Sequence, residues 1–153
     1  MEKIKINTGG QPVYLDDLQL LQDTPRAAMA ALISALTGGR RAVLLNGVNR
    51  EVVEQTDEGV NIRIDSGKLM EDGYIYSFEE TTLFVPFEND EQAAIYINLK
   101  ETDAGYRTMG TGANVATRSE LSAVLSLTAG EKSYNLLEVP TLADAVAENL
   151  AKL

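Results

Sequence analysis

From residue 40 onward the chain is cut into short pieces, and that punctuation limits what it can fold into more than any other feature. Gly and Asp turns recur at intervals of about ten residues, with stretches of alternating apolar and polar side chains between them. Val60-Asn61-Ile62-Arg63-Ile64-Asp65 puts Val60, Ile62 and Ile64 on one face, and Tyr74-Ile75-Tyr76-Ser77-Phe78 does the same for its aromatic residues. Asp57-Glu58-Gly59 and Glu71-Asp72-Gly73 turn the chain before each of them. Asn46-Gly47, between Arg41–Asn46 and Val48–Glu54, is a strong two-residue hairpin signal, although a bulge within one longer strand would use the same pair. Further strands are expected at Thr81 to Phe87, with Pro86 at an edge or end, and at Ala93 to Lys100 and Gly105 to Met109, a hairpin across Glu101-Thr102-Asp103-Ala104. Gly110-Thr111-Gly112 then breaks the pattern, Ser119 to Leu127 is a strand by its period-two leucines, and Ser133 to Leu137 is a short last one. Eight or so such strands predict an antiparallel β-sandwich or a partly open barrel.

The helices fall at the chain ends, so the expected class is mainly β with terminal helices, α+β. A single domain spans 1–153: an N-terminal strand (Lys3 to Asn7), turn and helical pair in 1–39, a β region in 40–139 and a C-terminal helix in 140–153. The helical pair consists of Asp16 to Gln22, with Leu18 and Leu21 inward, and a second helix that Asp23 or Thr24 caps, with Pro25 in its first position. Gly38-Gly39 supplies the left-handed residue that ends it. Met29, Leu32, Ile33 and Leu36 form one large apolar face, which Ala27, Ala28, Ala31 and Ala35 continue around the axis. A helix apolar over roughly two-thirds of its circumference must pack on two sides. Either one side meets the β core and the other the preceding helix, or the alanine side meets a second copy of the chain. In the last helix Thr141-Leu142-Ala143-Asp144 forms a capping-box variant, and Leu142, Val146, Leu150 and Leu153 line a docking face.

Composition removes many functions. With no cysteine there is neither a disulfide nor a thiolate metal site, and with no histidine the usual general base, zinc ligand and triad member are missing. A net charge of −10, from 23 acidic and 13 basic residues scattered along the chain, argues against nucleic acid as a partner. MEKIKINTGG contains no apolar signal region, and no run approaches the ~18 residues of a membrane span, so a protein that is cytoplasmic when synthesised is expected.

The carboxylate clusters have structural explanations. Of the adjacent Asp16 and Asp17, Asp16 caps a helix, Glu79-Glu80 flanks a strand, and Glu88-Asn89-Asp90-Glu91 is a solvated turn that lacks the spaced ligand pattern of a calcium loop. Gly110-Thr111-Gly112-Ala113 lacks the lysine of a phosphate cradle. The tyrosines at 74, 76, 96 and 106 could stack on sugars, but Tyr74 and Tyr76 share a strand face with Phe78, which favours the core. No catalytic residue, cofactor or metal site is expected.

Gly9-Gly10-Gln11-Pro12-Val13-Tyr14-Leu15-Asp16-Asp17-Leu18-Gln19-Leu20-Leu21-Gln22-Asp23, followed by the alanine-leucine helix and the apolar segment Ala42 to Val48, resembles small tail and baseplate-associated proteins of Bacteroidetes prophages. Ser66-Gly67 with Asp72-Gly73, and Arg107 with Gly110 or Gly112, occupy places comparable to that family's later motifs; Leu20 stands where the family often shows an aromatic residue. The resemblance implies a non-enzymatic structural component of a phage or phage-like tail, a baseplate or fibre adaptor carried into the virion or tail particle. Its partners would be itself, as a homo-oligomer such as a trimer, and other tail proteins. Ala27, Ala28, Ala31, Ala35, Leu142, Val146 and Leu150 are the candidate interface. The alternative is a monomeric carbohydrate-binding module at the cell surface.

Overall fold

The computed structural model describes residues 1–12, 14–46, 49–89 and 91–153. Strand makes up 45% of the chain, so the sheets define its class: mainly β with an N-terminal and a C-terminal helix, the sheets curled into half-barrels. One sheet has the order β1 (Ala42–Asn46), β4 (Gly67–Glu71), β5 (Tyr74–Phe78), β9 (Asn114–Ser126), β8 (Tyr96–Thr108), β10 (Ser133–Asn135). The other has β2 (Arg50–Gln55), β3 (Gly59–Ile64), β6 (Thr81–Glu88), β7 (Glu91–Gln92).

The sheets share a core. Val60, Ile62 and Ile64 on β3 and Val85 on β6 meet Leu44, Leu69, Tyr76, Phe78, Ile97 and Leu125 from the larger sheet. The larger sheet is covered on its other face too, where Val43 and Met70 meet Ile33 of α1 (Leu15–Thr37) and Ala145 of α2 (Leu142–Ala151). This two-sided cover explains why neighbouring residues Val43 and Leu44 are both buried, a pattern without alternation in the sequence.

Several expectations need correction. Lys3 to Asn7 is not a strand; this exposed segment is held instead by Gln11, whose side-chain oxygen accepts from the Asn7 amide at 2.7 Å and whose amide donates to the Lys5 carbonyl at 3.1 Å. The helical pair is one 23-residue helix that runs through Pro25. Proline removes the bond to the Leu21 carbonyl, but both residues are exposed and water can take its place, while good helix formers on either side carry the helix across. Asp17, not Asp16, closes the start, accepting from the Tyr14 amide at 3.4 Å. The expected end holds: Gly38 is left-handed at φ 72°, and the Gly39 amide reaches the Ser34 carbonyl at 2.8 Å. The expected cap of α2 is also present, with Thr141 Oγ1 accepting from the Asp144 amide at 3.2 Å.

The hairpin expected at Asn46-Gly47 falls on Gly47 and Val48, outside the described residues; β1 and β2 on either side pair in different sheets. Glu101 to Ala104 is no turn either. β8 runs straight through it, pairing residue for residue with β9 from Tyr96↔Ser126 to Thr108↔Asn114, and the chain reverses at Met109 to Ala113. Among the described residues β10 pairs only with Tyr96 to Asn98 of β8, and β5 pairs with β9 only at Ser122. Beyond these neighbours β8 and β9 continue as a two-stranded arm whose residues are mostly exposed.

Candidate functional site

The Asp72-Gly73 turn joins β4 to β5 with φ of 50° and 83°, the double left-handed conformation that makes Asp-Gly a hairpin pair. Glycine is required here for a second reason: a Cβ on Gly73 would strike the backbone carbonyl of Arg26 on α1. The turn is therefore the seat of the helix. Arg26 donates to the Asp72 carbonyl at 2.9 Å and lays its guanidinium over the Tyr74 ring, 5.1 Å from the centroid. Arg41 forks onto the Asp72 carboxylate at 3.2 and 2.6 Å. That bond holds the Asp72 carboxyl below the usual carboxylate range and raises the Arg41 guanidinium further above its own.

Next to this turn lies a polar groove of about 760 Å³ between α1 and the base of the arm, bordered by Gln22, Arg26, Tyr74, Glu101, Asp103 and Arg118. Glu71 lies at its floor, 1% exposed. One of its oxygens accepts from the Tyr134 hydroxyl, and the other pairs with the Lys132 ammonium, which also stands 5.9 Å from the Tyr76 ring centre. Burial, then the bond to Glu71, pushes the Tyr134 phenol up; the same carboxylate raises Lys132, and burial raises Tyr76. The groove gathers four carboxylates, but Glu71 and Asp72 are each engaged by a cation. Among the described residues no acidic cluster is arranged to hold a metal ion. Sequence reading treats Glu71-Asp72-Gly73 only as a turn. The burial of Glu71 depends on Lys132 and Tyr134, some sixty residues away, and Leu69-Met70-Glu71 has no alternation to flag it.

The second feature is the outer face of α1. Arg26, Ala30, Ile33 and Thr37 face the domain. Leu18, Leu21, Pro25, Ala28, Leu32 and Ala35 follow one another at alternating spacings of three and four on the other side, with Met29 and Leu36 beside them. Leu21 and Leu32 are 60% and 54% exposed, and Leu18, Met29 and Leu36 are exposed as well. Leu18 and Leu21 thus face outward, correcting the inward placement expected of them, and among the described residues no second helix covers Leu18, Leu21 or Leu32. Of the residues expected at an interface, Ala28 and Ala35 lie in this stripe, and Ala27 and Ala31 are one step round from it and exposed. Leu142 belongs to the chain's own core beside Ala145, Val146 is half-buried, and Leu150 is exposed. Asp16 is exposed, Glu79-Glu80 forms an exposed link from β5 to β6, and Asp90 of the acidic loop lies outside the described residues, as does Val13 of the opening motif.

No family model, no curated protein and no solved structure matches this chain. Among the described residues no helix is long and apolar enough to cross a membrane.

Proposed function

We propose that this chain is a non-enzymatic assembly protein that associates with copies of itself through the outer face of α1, as a structural component of a phage or phage-like tail. One observation carries the association: a stripe of leucine and alanine with Pro25 along the helix, Met29 and Leu36 beside it, spaced as in a coiled-coil seam and open to water except at the half-buried Ala28. Residues so spaced can interdigitate with an identical stripe, so a second copy is the occupant it fits best. Asp16, Asp17 and Asp23 lie off the seam, where they stay solvated in a pair of helices. The tail assignment rests on the resemblance of Gly9 to Asp23 and the helix after it; the protein is then made in the cytoplasm and carried in the particle, beside other tail proteins.

Light scattering on a size-exclusion column tests the association. The wild-type chain is expected as an oligomer, and Leu21→Glu with Leu32→Glu, both exposed, is expected to lower its mass while leaving the circular dichroism spectrum unchanged. A wild-type monomer at micromolar concentration would overturn the reading.

The polar groove favours a second reading, a carbohydrate-binding module. Carboxylates, guanidinium groups and the edge of Tyr74 converge there, as hydroxyl-rich ligands require. Against it, one face of Tyr74 already carries Arg26. A glycan array on which wild type binds and Tyr74→Ala does not would move the function to the groove; blank arrays remove this reading.

A further inference from the structure

Among the described residues the outer part of the β8–β9 arm has no neighbouring strand and β2 is an edge strand, and their chemistry is complementary. The outer part of the arm, from Ala104 to Arg118, contains Arg107 and Arg118 and no acidic residue and so carries +2 in a chain of −10, while Glu101, Asp103 and Glu120 stand at its base. Neither arginine forms an ion pair among the described residues. Tyr106, Met109 and Val115 are exposed beside them. An isolated two-stranded ribbon is marginal in water, so an arm of this length calls for a supporting surface.

β2 offers one. Among the described residues it pairs only with β3, all six of its residues are exposed, and its outer edge presents unpaired backbone groups. Val52 and Val53, at a bulge in the pairing with β3, are 54% and 51% exposed. Around them stand Glu54, Asp57 and Glu58, and Glu51, which already pairs with Arg63 on β3; Arg50 is the basic residue of β2 itself. Two β2 edges brought together would set acid against acid; a basic strand with apolar neighbours meets the opposite.

We propose that the arm of one copy docks along the free edge of β2 in a second copy, adding strand to strand, with the positive charge of its outer part, Arg107 on one face and Arg118 on the other, set against the acidic residues around Val52 and Val53. The contact is heterologous, since arm and edge are different surfaces, so repetition builds a ring or a filament. It deepens the assembly reading by naming a second surface and is independent of the α1 face.

The test therefore starts from the full chain carrying Leu21→Glu and Leu32→Glu, in which the helix contact is removed. Sedimentation velocity over a concentration series at low salt is expected to show residual association. Adding Arg107→Glu with Arg118→Glu, or instead Glu54→Lys with Glu58→Lys, is expected to weaken that association about tenfold or more, as loss of paired interfacial charges does. Mixing the two charge-reversed proteins is expected to restore it, because an acidic arm then meets a basic edge; the recovery also shows that both proteins are folded. A background protein that is monomeric throughout the series, or a mixture that remains as weak as its components, would overturn the proposal. Association lost on changing the helix face alone, with no response to the arm, would leave the assembly reading in place and remove this one.

Discussion

Glu71 is the residue on which the groove depends. Its carboxylate is 1% exposed, and a phenol and an ammonium each bind one of its oxygens, which offsets the cost of burying them. Tyr134→Phe takes away one donor and keeps the ring, and is expected to cost about 1–3 kcal/mol in chemical denaturation at neutral pH, the range for a buried acceptor left short of a partner. The pH dependence has two limbs. Tyr134, Tyr76 and Lys132 all have raised pKa values in the folded state, so the native chain favours their protonated forms; their contribution is complete below pH about 10 and is lost as pH rises from the unfolded values towards the folded ones. Asp72 runs the other way, complete above pH about 4 and lost as pH falls through its depressed folded value. Denaturation midpoints followed from neutral to about pH 11 should fall in the wild type and fall less steeply in Tyr134→Phe; equal slopes would mean that Tyr134 is not the titrating group.

At the scale of elements, the chemistry of the ends was more legible than their continuity. Thr141 with Asp144, Gly38 at the end of α1 and Asp72-Gly73 as a hairpin turn each follow from a local rule that the structure obeys. Pro25 obeys a local rule as well, but a helix of 23 residues outweighs it. The turn assigned to Glu101–Ala104 failed because those polar residues lie on an arm exposed on both faces, where no burial enforces alternation. The seat of α1 on Asp72-Gly73 was illegible because it joins residues 26 and 73 through a backbone approach. A proline inside a helix removes a hydrogen bond that one in the first position does not, so Pro25→Ala separates the two placements. Within a continuous helix it is expected to raise stability by about 1–3 kcal/mol, short of the full propensity difference because the lost bond is exposed. An unchanged or lower stability would return Pro25 to the start of a separate helix.

For the whole molecule, net charge sets how its two free surfaces respond to salt. Copies that each carry −10 repel one another, so added salt favours any contact made by apolar groups alone. The seam on α1 is of that kind. The arm against β2 depends on attraction between Arg107 and Arg118 and the acids around Val52, which the same salt weakens as the screening length shrinks from about 10 Å at 0.1 M towards 3 Å at 1 M. The two proposed contacts would therefore respond with opposite signs and can be read separately in one experiment. With the arm reversed by Arg107→Glu and Arg118→Glu, average mass by sedimentation should rise between about 0.05 and 0.5 M salt. With the seam removed by Leu21→Glu and Leu32→Glu, it should fall over the same range, and wild type should lie between. If both variants move in the same direction, one kind of contact accounts for all the association, and its sign identifies the surface: a rise points to the helix, a fall to the arm.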